Sequence, residues 1–240
     1  MKIFNLYVLF RIEPVKNFVF ALDDTLFRES DWVRSALKHT AEVVAEIYPL
    51  DSEMVFESFW NGLQSRGRGK VFRKSLEEVG LDDVEGLFPY LFYRYRVHQP
   101  DDLELMPGVE STLKILRDQG CKLGIITDGV ITAQQNKVKG LGLEKMVDAV
   151  IYTEVFGFEF RKPSSVPFKV MKRWLGNEGE FYYIGDNPDK DFIGAREEGY
   201  KTIMLKDEGN SRKIADLDKN QLADIEISCI EEVLEIASQT

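Results

Sequence analysis

One short segment constrains the fold of this chain more than any other. The apolar residues 18–22 run directly into two carboxylates and a threonine, Asp23, Asp24 and Thr25. An apolar run of this length that stops at polar residues predicts a buried β-strand over residues 17–22. In open α/β sheets, ligands bind just beyond the carboxyl ends of the strands. The segment therefore predicts a core strand whose end carries catalytic groups or a metal ion.

After residue 108 the chain alternates between short apolar segments and amphipathic ones. The pattern predicts strands at 122–127, 148–153, 181–184, 201–205 and 223–228, and helices at 109–119, 131–140, 166–175, 191–198 and 231–237. Strands that alternate with helices of this length are typical of a parallel, doubly wound sheet. We therefore expect an α/β fold with a Rossmann-like core.

The segment between the first strand and residue 103 has a different character. Its apolar residues recur at helical spacing in four stretches, and no strand is evident. We therefore predict an all-helical domain, residues 29–102, inserted into a core formed by residues 1–28 and 103–240. Residues 3–12 are rich in β-branched and aromatic types, so the stretch 1–14 predicts an extra N-terminal strand.

Size and charge narrow the class of protein. A chain of 240 residues can form one sizeable core with a smaller inserted domain. The formal charge of −10 argues against a nucleic acid or an anionic membrane as partner. No apolar run approaches the ~20 residues that span a bilayer, and the two cysteines form no Cys-x-x-Cys pair. We expect a cytoplasmic monomer or homodimer without nucleic-acid or membrane partners.

Three further polar clusters lie at or after predicted strand ends. They contain Thr127, Asp128 and Gly129, then Lys162, then Asp186 and Asp191. Taken singly, such clusters are ordinary turns, solvated lysines or helix caps. Their order and spacing over residues 17–228 resemble the four motifs of the haloacid dehalogenase-like (HAD) hydrolases. The inserted helices resemble the C1-type cap of that family.

The resemblance implies Mg²⁺-dependent hydrolysis of a small phosphorylated metabolite through an aspartyl phosphate. A phosphomonoester is a dianion, so its site needs fixed positive charge and hydrogen-bond donors. The implied general acid and base is Asp23, and this second aspartate favours phosphate esters over carbon–halogen bonds. The implied phosphate-binding residues are Thr127, Asp128, Gly129 and Lys162, and the implied metal ligands are Asp23, through its main-chain carbonyl, Asp186 and Asp191. Asp24 receives no role.

Two arginines extend the candidate site into the inserted domain. Arg66 and Arg68 lie in a glycine-punctuated loop between predicted helices. They are candidates for binding the distal part of an anionic substrate, and the alternative is a solvated basic loop. The connection that leads to Lys162 is about two residues longer than in many members of the family, which leaves Arg161 as the alternative to Lys162.

The resemblance fails at one position. Ala21 stands where the family has its nucleophilic aspartate. A methyl group can neither attack phosphorus nor hold a metal, so we expect this chain to be inactive or nearly so. Three interpretations stay open: an engineered substitution that silences an enzyme, a natural pseudoenzyme that binds a phosphorylated ligand or a protein partner, or a register in which Asp23 is the nucleophile. A phosphotransferase or phosphomutase is the alternative activity.

Overall fold

The computed structural model describes residues 15–67, 71–82, 85–100, 102–206 and 218–239. The extra strand predicted within residues 1–14 lies outside this part of the chain, and so does Arg68. No helix in the described part is both long enough and apolar enough to span a bilayer.

The core is one six-stranded sheet in which every neighbouring pair of strands is parallel. Its strands are β1 (Lys16–Phe20), β2 (Lys122–Thr127), β3 (Ala149–Tyr152), β4 (Glu180–Gly185), β5 (Lys201–Leu205) and β6 (Ile225–Ile227). The spatial order is β3-β2-β1-β4-β5-β6. The chain therefore winds outward on one side of β1 and then on the other. The reversal falls between β1 and β4, where a doubly wound sheet forms its ligand crevice.

Helices cover both faces of the sheet and form the inserted domain. The core helices are α5 (Val109–Asp118), α6 (Ile131–Gly140), α7 (Val166–Leu175), α8 (Ile193–Glu197) and α9 (Val233–Ser238). The inserted helices, which we call the cap, are α1 (Glu29–Ile47), α2 (Ser52–Arg66), α3 (Val71–Glu78) and α4 (Phe88–Val97). The predicted fold class, a doubly wound α/β core with an inserted helical cap, is thereby confirmed.

The central strand is apolar from Phe18 onward because that part of it is buried on both faces. Phe18 and Phe20 point into a hydrophobic cluster that continues into the cap through Trp32 and Phe72. Val19 points to the opposite face, where it packs in a second cluster with Phe168 of α7. The cap and the core thus share one apolar cluster, which places the cap helices beside the carboxyl edge of the sheet.

A close contact at Gly194 fixes the loop that carries Lys162. A Cβ atom at this position would lie 2.4 Å from the carbonyl oxygen of Pro163 and 2.7 Å from that of Ser164. Both are backbone atoms, so a methyl group requires the loop to move. We expect Gly194→Ala to lower the free energy of unfolding by about 1–3 kcal/mol, even though alanine favours a helix by about 1 kcal/mol.

Denaturant unfolding measures this loss, and Gly86→Ala is the matched control. Nothing lies within 4 Å of the Cβ position at Gly86, so that variant should stay within about 0.5 kcal/mol of the native chain. Equal stability of the two variants would contradict the close contact.

Candidate functional site

The ends of β1, β2 and β4 bring three of the predicted motifs to one edge of the sheet. The parallel register aligns Phe20 with Ile125 of β2 and with Ile184 of β4. The backbone N–H of Ala21 donates to the carbonyl of Ile184 at 2.8 Å. Ala21 is itself buried, with 3% of its surface exposed. Position 21, which the resemblance equates with the nucleophile, is therefore buried at the end of β1 and carries a methyl group.

A buried cluster of three polar side chains lies beside this edge. The ammonium of Lys162 donates to Oδ1 of Asp191 at 2.7 Å and to the hydroxyl of Tyr183 at 2.9 Å. The Tyr183 hydroxyl donates to the same carboxylate oxygen at 3.2 Å. Burial disfavours both charges, but the attraction between the two groups and their hydrogen bonds is stronger. The pKa of Lys162 is therefore well above its ordinary value, and the pKa of Asp191 is below its ordinary value. The pair therefore stays ionised, with one fixed ammonium at the site.

The loop after β4 holds the carboxylate of Asp191 in place. Its second oxygen accepts a hydrogen bond from the backbone N–H of Asn187 at 2.9 Å. Asp186 lies in the same loop and is almost fully buried. Burial, with the nearby carboxylates of Asp191 and Asp24, raises the pKa of Asp186 to about 7. This part of the site therefore favours a proton or a cation.

Asp23 is held by two residues of α6 that sequence reasoning did not single out. Its Oδ1 accepts from the ammonium of Lys137 at 2.7 Å, and its Oδ2 accepts from Nε2 of Gln134 at 2.9 Å. The same Gln134 amide nitrogen donates to Oγ1 of Thr127 at 2.5 Å. Gln134 and Lys137 are each only 2% exposed. The two residues are three positions apart, so they lie on the same face of α6. This spacing is visible in the sequence, but the burial of that face is not.

Lys137 also connects the core to the cap. Its Nζ lies 4.7 Å from the ring centre of Trp32 and 3.8 Å from Oε1 of Glu29, both on α1. The start of α1 is bound to the site a second time, because the Glu29 N–H donates to Oδ1 of Asp24 at 3.0 Å. Asp24, which received no role from the sequence, thus joins the site loop to the first cap helix.

Two other predicted binding residues, Asp128 and Gly129, have different roles in the structure. The carboxylate of Asp128 accepts from the Thr153 hydroxyl at 2.7 Å and from the backbone N–H of Lys162 at 3.2 Å. Asp128 therefore positions the segment that carries Lys162. Gly129 adopts a φ of 141°, which a residue with a side chain rarely adopts, and lines the cavity described below.

Of the predicted arginines, Arg66 and Arg161 lie in the described part of the chain, and each is paired with a carboxylate. Arg66 binds Glu78 of α3 at 2.5 Å and the hydroxyl of Ser75 at 3.0 Å. Within the described residues it does not line the cavity beneath the cap. Arg161 pairs with Glu154 at 2.9 Å, so Lys162, not Arg161, reaches Asp191.

Two of the predicted magnesium ligands, Asp186 and Asp191, lie in one loop and close enough for the charge of Asp191 to act on Asp186, while Asp23 is predicted to bind through its main-chain carbonyl. In the described ranges, no three His, Cys, Asp or Glu side chains are grouped as a metal site. The Asp23 carboxylate faces Lys137 and Gln134, and that of Asp191 faces Lys162. Mg²⁺ usually keeps several waters and needs one or two carboxylates besides substrate oxygens. With alanine at position 21, the residues present do not fit a magnesium site built from protein side chains alone.

A cavity of about 390 Å³ lies between the cap and the sheet edge. Its walls come from all four cap helices, from α6 and the loop before it, and from Arg161. Gly129, Gln134 and Lys137 line the end nearest Asp23. The arrangement supplies a fixed ammonium, a buried hydroxyl and a carboxylate held between two donors, next to an enclosed space for a small molecule.

Comparison with known proteins agrees with this geometry. Residues 18–205 match the family described as haloacid dehalogenase-like hydrolase. A glyceraldehyde 3-phosphate phosphatase of Methanocaldococcus jannaschii is 29% identical over 92% of this chain and 96% of its own. A HAD phosphatase of Thermococcus onnurineus is similar in structure, with a TM-score of 0.61 and 25% identity over 93% of this chain and 98% of its own.

A HAD-hydrolase of Bacillus subtilis bound to magnesium has the same fold, with a TM-score of 0.68 and 20% identity over 95% of this chain and all of its own. The match to the family extends from the first strand of the sheet to the fifth and includes the whole cap. The chain therefore belongs to the haloacid dehalogenase-like hydrolases.

Proposed function

We propose that this chain has the scaffold of a phosphomonoester hydrolase and, with Ala21 in place of the nucleophile, binds a small phosphorylated metabolite with little or no turnover. The observation that carries the proposal is the buried Lys162–Asp191 pair at 2.7 Å, beside Thr127 and Asp23 at the carboxyl edge of the sheet. The relatives named as phosphatases support the same reaction class.

The phosphoryl group would bind at the ammonium of Lys162 and the hydroxyl of Thr127. A dianion requires fixed positive charge, and Asp191 and Tyr183 hold the Lys162 ammonium without any rearrangement on binding. The backbone N–H groups that follow Thr127 add donors for the phosphoryl oxygens. These groups orient the ester so that its leaving oxygen faces Asp23.

Asp23 would transfer the protons. The Asp23 carboxylate would first take up a proton from solvent. The carboxyl group would then protonate the leaving oxygen as the ester bond breaks, and the carboxylate formed would take a proton from the attacking water. Gln134 and Lys137 fix both carboxylate oxygens, so the side chain keeps one orientation. The covalent step between these two transfers requires the aspartate that Ala21 replaces.

Magnesium is part of the proposal for the complete enzyme only. When bound, it would neutralise charge on the phosphoryl oxygens. Asp186 supplies a buried carboxylate, and an aspartate at position 21 would supply a second one. We therefore expect this chain to bind Mg²⁺ weakly without a phosphorylated ligand.

A second candidate function is that of a natural pseudoenzyme, whose biological role is to bind a phosphorylated ligand or a protein partner and not to hydrolyse an ester. Ala21 itself favours it, because the phosphate-binding residues are intact while the nucleophile is absent. In that case the natural gene encodes alanine, and the chain acts by sequestering a phosphorylated molecule or by presenting it to a partner.

The experiment compares this chain with its Ala21→Asp variant. Phosphate release is measured with Mg²⁺ on an aryl phosphate and on a panel of three-carbon, sugar and acid phosphates. Turnover by the variant alone supports the hydrolase proposal. If neither protein releases phosphate from any ester, the hydrolase proposal is wrong. Binding of inorganic phosphate to the unmodified chain then decides whether the second candidate remains.

A further inference from the structure

The cavity beneath the cap has two chemically different ends. Its core end is polar: Gln134 and Lys137 line it and bind the carboxylate of Asp23. Its cap end is apolar. Ten of the sixteen described residues that line the cavity are aliphatic or aromatic, and those that form the cap side include Trp32, Leu37, Val71, Phe72, Phe92 and Tyr95.

The described part of the wall holds three charged side chains besides Lys137, and two of them, Arg161 and Glu29, have partners of opposite charge. Arg161 is paired with Glu154 at 2.9 Å. Arg96 lies over the ring of Phe92, at 5.8 Å from its centre. Glu29 is an anion 3.8 Å from Lys137 and would repel an acidic group. A polyol here would give up its hydrogen bonds to water. It would find donors in the Arg96 guanidinium and in the indole N–H of Trp32, which has no acceptor among the described residues, but few other described partners for its hydroxyls.

We propose that the group esterified to phosphate is a compact apolar one, so that the ligands of this site are monophosphates of cyclic or branched hydrocarbon alcohols, not of polyols. This inference rests on the proposed function, because the Lys162 and Thr127 site takes the phosphoryl end and leaves the ester group beneath the cap. The volume of about 390 Å³ is near the lower end of the ~300–1,000 Å³ of small-molecule sites. It has room for a single ring or a short branched chain.

The reaction of such an ester is ordinary hydrolysis. One water is consumed, the bond between phosphorus and the alcohol oxygen breaks, and that oxygen keeps the bonding electrons and takes one proton. The products are inorganic phosphate and an apolar alcohol. The alcohol has no charge to hold it at Lys162, so it leaves independently of the phosphate.

Cyclohexyl phosphate and myo-inositol 1-phosphate form a matched pair for the test. They share the ring and the phosphoryl group and differ in the ring hydroxyls. The dissociation constants are measured by calorimetry on the unmodified chain, and kcat/KM is measured on the Ala21→Asp variant. We expect a preference of at least about tenfold for cyclohexyl phosphate in both, since buried hydroxyls without partners weaken binding. Equal values, or a preference for the inositol ester, would overturn the proposal.

Two variants of the wall show whether the ester group lies in this cavity. Val33→Thr keeps the shape of a buried wall residue and adds a hydroxyl. It should therefore reduce the ratio of the affinity for cyclohexyl phosphate to the affinity for myo-inositol 1-phosphate. Ala133→Leu adds bulk from α6 into the same space. It should weaken the binding of cyclohexyl phosphate at least about tenfold more than it weakens the binding of inorganic phosphate. Circular dichroism and thermal unfolding verify that both variants fold.

The outcomes separate this inference from the proposed function. If Ala133→Leu affects the ester and inorganic phosphate alike, the ester group lies elsewhere and the inference is wrong. If the Ala21→Asp variant hydrolyses polyol phosphates best, the hydrolase proposal stands and the substrate class is wrong. If the unmodified chain binds no phosphate and the variant hydrolyses no ester, both are wrong.

Discussion

Replacement of Ala21 by aspartate is expected to raise kcat/KM for phosphate esters by about 10⁴-fold or more. Loss of a nucleophile from an enzyme that acts covalently costs up to about 10⁶ in rate. The rest of the predicted machinery is present, because the Lys162 ammonium and the Asp23 carboxylate are already fixed by hydrogen bonds of 2.7–2.9 Å. The measurement is steady-state phosphate release with Mg²⁺ in excess, repeated after chelation of the metal.

Two control variants show whether the restored activity comes from an aspartate nucleophile at position 21. Ala21→Asn has nearly the shape of the aspartate variant but cannot attack phosphorus, so its rate should stay at that of the native chain. Asp23→Asn tests the alternative register. If Asp23 were the nucleophile, the native chain would hydrolyse esters, Asp23→Asn would abolish that activity, and Ala21→Asp would add little. A variant with both Ala21→Asp and Asp23→Asn should lose most of the restored rate, typically 10²–10⁴-fold for a general acid and base.

Replacement of Lys162 by methionine is expected to lower the free energy of unfolding by about 3–5 kcal/mol. Asp191 is fully buried, and removal of the ammonium leaves its charge without the cation that pairs with it, with only the Asn187 N–H and the Tyr183 hydroxyl as donors among the described residues. Methionine has a similar length, so little packing is lost. Denaturant unfolding followed by circular dichroism measures the change.

A double variant distinguishes the charge from the side-chain contacts. Lys162→Met combined with Asp191→Leu removes both charges, and an apolar pair in place of a buried ion pair is often neutral or stabilising. The double variant should therefore recover much of the lost stability. Tyr183→Phe removes one hydroxyl that bonds to both charges and should cost about 1.5–3 kcal/mol. If Lys162→Met unfolds at the same denaturant concentration as the native chain, the pair is not buried in solution.

The fold was predictable because the strands are buried on both faces. Such strands are continuous apolar runs, as in residues 18–22, and the polar residues that end them mark the edge of the sheet. Helical connections between parallel strands are right-handed in nearly all proteins, so only a few strand orders are possible, and the observed order is one of them.

The site was only partly predictable because part of it depends on packing between distant segments. Lys137 resembles any surface lysine in sequence, and it is buried because Trp32, more than a hundred residues earlier, covers it. Arg66 is the opposite case, because its sequence neighbourhood does not reveal its partner. Its glycine-rich neighbourhood predicts a binding loop, but a carboxylate on the next cap helix, Glu78, lies within 2.5 Å of it.

The contact between Lys137 and Trp32 gives this chain an intrinsic optical probe. The emission of an indole depends on the charges beside it, and the Lys137 ammonium lies 4.7 Å from the Trp32 ring centre while it also binds Asp23 at 2.7 Å. An anion that draws the ammonium toward the sheet changes the field at the ring. Titration with inorganic phosphate should therefore shift the fluorescence of the native chain, and a Trp32→Phe variant should lose the shift although Trp60 and Trp174 remain. Occupancy of the site can then be followed without a label and without turnover.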